Sequence, residues 1–399
     1  MNAATEAEVV NALPHEGFLL NYCAWARPQT DAPLAYHLAT GLALLAASAP
    51  ADLCVTYAGP PTHANLFTLV VGRSGEDRKS SATGIGYGLL KDVAPSLVAD
   101  EPGSWEGFVD SLQTQPAKLI YYSEFGSFLQ SSQNNGGYFG TLKTKYNEAY
   151  DARPMTRVLA NGKVSRTDNP RVTLLGACAT PYLEAHATPL DWTAGFMGRW
   201  LLMYAHRERT YPRGQPAPAH VETWLRADLL SRTYTPSAGP WVGFSGRTEQ
   251  RWTEWFHDVN NRPLPEHVIG IRSRVPTIAM KCALLLAWDY NPDVRRGIPW
   301  AFDEGTLEPA IRIAELHFQS VVALFEVLAE SKDMRDRRRV LDVLYGGPLP
   351  FGAIVKASKL LKRRCQELIE SLITEGTVIP LTRDGDVLYL RLGHVQTNA

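Results

Sequence analysis

The sequence predicts an α/β protein in which buried strands alternate with helices, followed by a helical block and a small C-terminal domain. Three apolar, strand-like runs are each followed by a polar turn, and helical patterns lie between them. Near the C-terminus, an Asp-Gly pair between two β-rich runs predicts a hairpin. These signals divide the chain into four segments, residues 1–50, 51–215, 216–332 and 333–399.

The composition is that of an ordinary globular protein. The chain has 399 residues, of which 45% are hydrophobic, and its net charge of −1 gives no global attraction to nucleic acid or membrane. Five scattered cysteines without a C-x-x-C pair argue against a disulfide framework or a zinc site and favour a reducing compartment. No signal-peptide pattern or membrane-length apolar run is present, so we expect a cytoplasmic protein without a membrane partner.

The first segment predicts a helical lead-in to the core. Residues 1–33 carry an apolar stripe, and Asp31-Ala32-Pro33 is a typical helix start. The following run from Leu34 to Ser48 is apolar on nearly every side, which predicts a helix packed in the interior.

The first core strand is followed by a candidate phosphate-binding loop. A run of buried type, Leu66 to Val71, breaks at Gly72, and the polar turn after it ends in Lys79-Ser80-Ser81 before a helix. In such a loop, backbone N–H groups and the helix N-terminus face phosphates, the lysine neutralises them and a hydroxyl holds Mg²⁺. The predicted nucleotide-binding residues, with ATP and Mg²⁺ as cofactors and Ser80 as a metal ligand, are Gly72, Ser74, Gly75, Arg78, Lys79, Ser80 and Ser81.

The loop departs from the usual G-x-x-x-x-G-K-[ST] pattern. Gly72 lies seven residues before Lys79, one more than usual, and Arg78 stands in place of the second glycine. Glu76 and Asp77 add two negative charges to a loop that would hold an anion. A surface turn that happens to contain Lys-Ser is the alternative interpretation.

The second core strand is predicted to end in a catalytic acid. The run from Ala117 to Tyr122 is hydrophobic and leads to Ser123-Glu124. In phosphate-loop ATPases an acid at this point serves the metal and the attacking water, so Glu124 is a candidate for both roles. Ser123 replaces the aspartate that usually precedes it, and an ordinary surface glutamate is the alternative.

Two further polar residues are candidates for sensing or stabilising the γ-phosphate. Thr180 ends the third core strand, which runs from Val172. Arg199, flanked by Gly198 in the segment GFMGRWLLMY, leads into a fourth apolar run and is of the kind that reaches a neighbouring subunit's phosphate. A plain strand end and a structural arginine paired with an acid are the alternatives.

Residues 130–171 predict a DNA-contacting insertion. The stretch is polar, has a local charge of about +4 and interleaves tyrosines with cations, a combination that suits a phosphate backbone and stacked bases. A solvated insertion is the alternative. The predicted DNA contacts are Lys143, Lys145, Arg157, Lys163 and Arg166.

The helical block that follows reads as a lid or collar. It contains predicted helices at Ala219–Leu230, Thr248–Val259, Val268–Trp288 and Thr306–Glu330. The charge run from Asp333 to Arg339 predicts a domain boundary.

The last segment predicts a winged helix. Three helices, the third spanning Ser358–Glu375, precede a hairpin of Thr377–Leu381 and Val387–Leu392. A recognition helix would meet DNA with its first turns, although winged helices also serve as protein–protein modules. The predicted DNA contacts here are Lys359, Lys362, Arg363 and Arg364.

The order of these landmarks resembles the RecA-like ATPase (helicase) domains of phage-, plasmid- and island-encoded primase-helicases. The resemblance runs from about Asp31 to Trp288 and rests on DAPLAYHLATGLALLA, NLFTLVVGRSGEDRKSSA, LIYYSEFGSFL, NPRVTLLGACATP and GFMGRWLLMY. It implies an oligomeric, ring-forming (hexameric) ATPase that acts on DNA, with any primase on a separate chain.

The first hypothesis is therefore an ATP-dependent DNA helicase or translocase that acts in the replication of a phage or mobile element. The second is an ATP-switched initiator, loader or defence protein that does not unwind DNA, which the missing aspartate and the acidic loop favour. The third is a degenerate phosphate loop that binds no nucleotide, with the winged helix as the working part.

Overall fold

The computed structural model describes residues 3–56, 59–133, 138–158, 162, 164–193, 195–208, 210, 214–233, 241–262, 269–383 and 386–392. The chain is a mixed α/β protein with two compact units, Met1–Leu324 and Phe325–Ala399. The first three segments that the sequence predicts thus lie, almost entirely, in the first unit.

The first unit is built around a five-stranded sheet in which all neighbouring strands are parallel. Its strands lie in the order β2-β3-β4-β1-β5. Every residue of the interior strands β1 and β4 is buried, as expected for strands covered on both faces, and so is every residue of the edge strand β5. The strands are β1 (Phe67–Gly72), β2 (Val98–Ala99), β3 (Ala117–Tyr122), β4 (Arg171–Ala179) and β5 (Trp200–Tyr204).

α-Helices occur in both units. Their bounds are Glu6–Ala12, Phe18–Ala26, Leu34–Ser48, Lys79–Val93, Trp105–Thr114, Phe125–Ser131, Tyr138–Tyr150, Thr180–His186, Pro189–Thr193, Ala219–Thr233, Gly246–Asn261, Ile269–Arg272, Val275–Tyr290, Pro292–Arg295, Glu304–Val343, Phe351–Ser358 and Lys362–Thr374. Among the described residues, no helix has the length and apolar character needed to cross a bilayer.

The helix Leu34–Ser48 is central to the core. All of its residues are buried, which confirms the prediction of an interior helix. It packs against β1, β4 and the helix after the candidate loop. The Tyr36 hydroxyl lies 2.7 Å from the carbonyl oxygen of Val71 and 2.6 Å from that of Ala205, so the helix fixes the end of β1 beside the end of β5.

Smaller sheets complete the first unit. Four short strands pair in the order Trp300–Ala301, Trp241–Gly243, Cys54–Val55 and Thr62–His63, and Met155–Val158 pairs antiparallel with Val164–Thr167.

The predicted helix Val268–Trp288 is two helices, Ile269–Arg272 and Val275–Tyr290. The second starts anew because Pro276 sits in its first turn, where a missing N–H costs nothing.

The second unit contains a helix-turn-helix and a three-stranded sheet. Leu349–Pro350 and Val378–Arg383 both pair antiparallel with Asp386–Arg391. The third predicted helix starts at Lys362 rather than Ser358, because Lys359 has a φ of 55° and ends the preceding helix. The core of this unit consists of Val340, Leu344, Ile354, Cys365, Leu368, Ile369, Leu372 and Val378.

The charge run that the sequence marks as a boundary is helical. The helix Glu304–Val343 continues through Asp333–Arg339 without a break. Arg337 pairs with Asp333 four residues earlier at 2.8 Å and with Glu375 at 2.7 Å, so opposite charges at helical spacing stabilise the segment.

Candidate functional site

The candidate loop connects β1 to the helix Lys79–Val93 at the carboxyl edge of the main sheet. Gly72 is required there, since a Cβ atom would lie 2.3 Å from the Tyr36 hydroxyl oxygen and 2.9 Å from the Asp77 carboxylate. Gly75 has a φ of +73°, in the left-handed region that favours glycine. Steric crowding therefore explains why glycine occupies position 72, and the backbone conformation explains why glycine occupies position 75.

Arg78 occupies the backbone conformation for which the usual motif has its second glycine. Its φ of 51° and ψ of 32° are left-handed, and the helix begins at the next residue. The strain of a left-handed non-glycine residue is about 1–2 kcal/mol. The Arg78 side chain lies 3.3 Å from Asp31, which in turn pairs with Arg207 at 2.7 Å, and these contacts offset the strain.

Asp77 does not face a bound anion, contrary to the expectation from the sequence. Its side chain has no exposed surface and accepts hydrogen bonds from the backbone N–H groups of Arg73 at 2.7 Å and Arg207 at 3.0 Å. The Arg73 guanidinium donates to it at 2.9 Å, and His206 Nδ1 lies 3.3 Å away. Although burial opposes ionisation, the Arg73 and Arg207 bonds outweigh it and hold the pKa of Asp77 well below its usual range.

Glu76, the other acid of the loop, points to solvent. It pairs with Arg73 at 2.7 Å, and 57% of its side chain is exposed. Arg73 thus pairs with both carboxylates, one inside the loop and one outside it.

Lys79 is the first residue of the helix and is only 8% exposed. Its Nζ donates a hydrogen bond of 2.7 Å to the carbonyl oxygen of Arg73, so the ammonium group lies across the loop. Burial lowers the pKa of Lys79, while the charges of Asp77 and Glu124 act in the opposite direction.

The helix start provides exposed hydroxyls and backbone donors. Ser74, Ser80 and Ser81 are exposed, and the first N–H groups of a helix have no partner within it. Behind them, the buried Thr83 hydroxyl lies 3.1 Å from the Lys79 carbonyl oxygen and 2.9 Å from the Tyr121 hydroxyl, which connects the helix to β3.

Glu124 follows β3 at the same edge of the sheet. Register brings it beside the loop through β4, because Tyr122 pairs with Gly176 and Gly72 pairs with Ala179. The carboxylate is exposed and makes no hydrogen bond or ion pair with the described residues. Its charge raises the pKa of both Lys79 and Tyr121, so it lies near both side chains.

Thr180 follows β4 directly and opens the helix Thr180–His186. Its hydroxyl oxygen is shielded from solvent and has no hydrogen-bond partner among the described residues. A buried hydroxyl without a partner costs about 1–3 kcal/mol, which a ligand oxygen would recover. The structure thus brings Gly72, Lys79, Glu124 and Thr180 to one edge of the sheet.

Arg199 lies elsewhere. It precedes β5, at the amino-terminal edge of the sheet opposite the loop, and is 7% exposed. It pairs with Asp151 at 2.8 Å and donates to the Gly195 carbonyl oxygen at 2.8 Å. A role at a neighbouring subunit's phosphate stays a prediction, and it requires this buried ion pair to open.

The predicted DNA-contacting cations of the insertion are engaged with acids. Lys143 pairs with Asp191 at 2.6 Å and Lys145 with Glu148 at 2.8 Å. Lys163 lies outside the described residues. The two arginines also have acidic partners, Arg157 with Asp110 and Arg166 with Asp168.

The C-terminal cations divide into two kinds. Lys359 and Lys362 are exposed, and Arg363 is 93% exposed with only Glu367 near it at 3.1 Å. Arg364 instead pairs with Asp333 and Asp336 and supports the packing of its own unit.

The sequence did not predict the residues that brace the loop. Asp31, His206 and Arg207 are far from it in the chain. The pairing of β1 with β5 brings His206 and Arg207 to the loop, and Asp31 reaches Arg78 from the start of the helix Leu34–Ser48. Among the described residues, no group of three or more His, Cys, Asp or Glu side chains has metal-binding geometry.

No protein-family model matches the chain, and no curated protein is significantly similar to it.

Proposed function

We propose that the chain is an ATP-hydrolysing DNA helicase or translocase with a RecA-like core and a C-terminal winged helix. One observation carries the proposal: Lys79 begins the helix after the central strand, and Glu124 and Thr180 lie at the same sheet edge. In open parallel sheets, ligands bind outside the carboxyl ends of the strands. The strand order, with β4 between the loop strand and the acid-bearing strand, agrees with a RecA-like core.

In this proposal each residue has a separate task. Lys79 breaks its hydrogen bond to the Arg73 carbonyl oxygen and binds the β- and γ-phosphates. The phosphate oxygens also accept hydrogen bonds from the N–H groups of the helix start. Glu124, with its exposed and unpaired carboxylate, orients and polarises the attacking water. The Thr180 hydroxyl donates to a γ-phosphate oxygen.

The residues present also fit a magnesium ion. Ser80 is exposed at the helix start and Glu124 lies across the edge, so a hydroxyl and a carboxylate are available. Mg²⁺ needs few protein ligands, since phosphates and waters supply the others. When bound, it would neutralise charge on the phosphates during transfer.

The direct test is ATP hydrolysis with and without single-stranded DNA. We expect Lys79→Ala to abolish turnover, because it removes the buried ammonium group that would bind the β- and γ-phosphates. Glu124→Gln should keep ATP binding but lose hydrolysis. Lys91→Ala, an exposed lysine on the same helix, is the matched control and should behave as the wild type. Full turnover in Lys79→Ala would refute the assignment.

The pairing of the insertion's cations favours a second candidate, an ATP-switched DNA-binding protein. Four of its five predicted DNA contacts have acidic partners, which leaves little free positive charge there to hold a strand. DNA stimulation separates the candidates. A motor's turnover rises strongly with DNA, whereas a switch binds ATP and shows the same slow turnover with or without it.

A further inference from the structure

A cavity of about 390 Å³ lies at the edge of the main sheet opposite the phosphate loop. The segment Gly59–His63, the end of helix Tyr138–Tyr150 and the first turns of helix Val275–Tyr290 line it. Lys281 in its wall donates to the carbonyl oxygen of Asn65, which precedes β1, at 2.8 Å. The whole length of β1 therefore separates this cavity from the loop that follows Gly72.

Positive charge predominates around the cavity. Arg153, Arg274 and Lys281 line it, and Asp151 is the only carboxylate among the described lining residues. Asp151 is already shared by two cations, Arg199 at 2.8 Å and Arg153 at 3.6 Å.

The other titratable groups add no negative charge. Burial, together with Arg171 and Lys281, lowers the pKa of His63 to about 3, so its ring is neutral at physiological pH. Burial lowers the pKa of Lys281 to about 7. At neutral pH the cavity thus keeps an excess of cations, even with Lys281 partly deprotonated.

Two groups at the cavity lack the partners that their chemistry requires. Arg274 is half-buried, yet its guanidinium makes no hydrogen bond or ion pair with the described residues. Tyr150 is 1% exposed, and its hydroxyl has no hydrogen-bond partner among them. Buried polar groups are nearly always satisfied, so the Tyr150 hydroxyl points to a ligand that accepts a hydrogen bond. Arg274 is partly exposed, so its guanidinium is available to pair with the same ligand.

The helix start provides further donors. Arg274 is the N-cap of Val275–Tyr290, whose first turn carries Thr277 at the cavity wall. The N-terminus of a helix of this length favours an anion. Pro276 has no N–H, so Val275 and Thr277 supply the first N–H groups, which have no partner within the helix. An arginine beside it presents a planar fork that matches two oxygens of an oxyanion.

We propose that this cavity is a second anion site, which binds a phosphate group between Arg274, Arg153 and the Tyr150 hydroxyl. Three cations against one shared carboxylate select a multiply charged oxyanion over a carboxylate or chloride. The phosphate is either inorganic or the terminal group of a mononucleotide, since the volume admits both. The site does not depend on the loop at the opposite edge binding nucleotide.

The test is isothermal titration of the full chain carrying Lys79→Ala, which weakens any phosphate binding at the loop. Inorganic phosphate and AMP are titrated separately at constant ionic strength. We expect Arg274→Gln in this background to weaken phosphate binding about tenfold or more, as for loss of one charged hydrogen bond. Tyr150→Phe should weaken it less. Arg247→Gln removes the same charge from a residue that is 86% exposed and remote, and should change nothing.

Binding of inorganic phosphate identifies the free ion as sufficient, and binding of AMP alone identifies a nucleotide phosphate; either result supports the site. Two results would overturn it. One is the absence of binding of both ligands to the Lys79→Ala chain. The other is unchanged affinity in both Arg274→Gln and Tyr150→Phe. Circular dichroism of each variant ensures that lost binding is not lost folding.

Discussion

Burial decides what Asp77, an acid in the candidate phosphate-binding loop, does. Read along the sequence, Asp77 is a negative charge where an anion should bind. In the fold it has no exposed surface and anchors Arg73 and the Arg207 backbone. The loop's shape therefore rests on an internal ion network as well as on glycine, and Arg78 rather than glycine takes the left-handed position.

We expect Asp77→Asn to destabilise the protein by about 3 kcal/mol at neutral pH, as for breaking one partner of a buried pair. The folded-state pKa of Asp77 lies below its usual value, so its ionised form stabilises the fold above pH ~4 and this stability is lost as the pH falls below it. The wild type should lose more stability than the variant between about pH 4 and pH 2. Urea unfolding across this range measures both effects.

The matched control for that experiment is Glu76→Gln. Glu76 neighbours Asp77 and pairs with the same arginine, but it is 57% exposed, so the pair is screened by solvent and its loss should cost at most about 1 kcal/mol. Equal destabilisation by the two changes would contradict a structural role specific to Asp77.

At the scale of single residues, the sequence predicts the groups that follow strands and misses those that brace them. Lys79, Glu124 and Thr180 were found because each ends or follows an apolar run. Asp31, His206 and Arg207 carry no such pattern, and only the pairing of β1 with β5 brings the last two to the loop. A local motif cannot report a contact that the tertiary fold creates.

At the scale of elements, hydrophobic periodicity predicted most helices and strands, while backbone conformation and ion pairs set their ends. The helix Lys79–Val93 starts three residues earlier than expected, directly after Arg78. The helix Lys362–Thr374 starts later, since Lys359 is also left-handed. The charge run at Asp333 stayed helical because its acids and arginines pair.

The last helix–turn–helix allows DNA contact to be separated from stability. We expect the double change Lys362→Glu and Arg363→Glu to weaken DNA binding about tenfold or more without lowering stability, since both side chains are exposed. Arg364→Gln should instead lower stability, because it removes the side chain that pairs with both Asp333 and Asp336. Fluorescence anisotropy with labelled DNA and thermal unfolding measure the two properties. Unchanged affinity in the double variant would favour a protein-binding role.

At the scale of the whole molecule, the two compact units have separate cores. The four predicted segments are based on changes in composition along the sequence. Such changes show where the local pattern differs, but they do not show where one packed core ends and the next begins. The strand order could not be predicted from the sequence. Phe67 pairs with both Leu174 and Trp200, and no local sequence pattern identifies either residue as its partner.

We expect calorimetry to resolve two unfolding transitions, one for each unit. ATP with Mg²⁺ should raise only the transition of residues 1–324, since a ligand stabilises the unit that binds it. Leu368→Ala removes a side chain from the C-terminal core. It should lower the free energy of unfolding of residues 325–399 by about 2–5 kcal/mol, so only the transition temperature of that unit should fall. A single transition that moves with both perturbations would show that the units unfold together.

The central position of β1 has a consequence for the making of the protein. This strand is translated early, but its neighbours β4 and β5 begin roughly a hundred residues later, which at bacterial-type ribosome speeds is on the order of ten seconds. Throughout that interval an apolar strand with two unpaired edges is outside the ribosome. The largely apolar helix Leu34–Ser48, translated just before it, is the surface on which the nascent strand can be sheltered until its partners emerge.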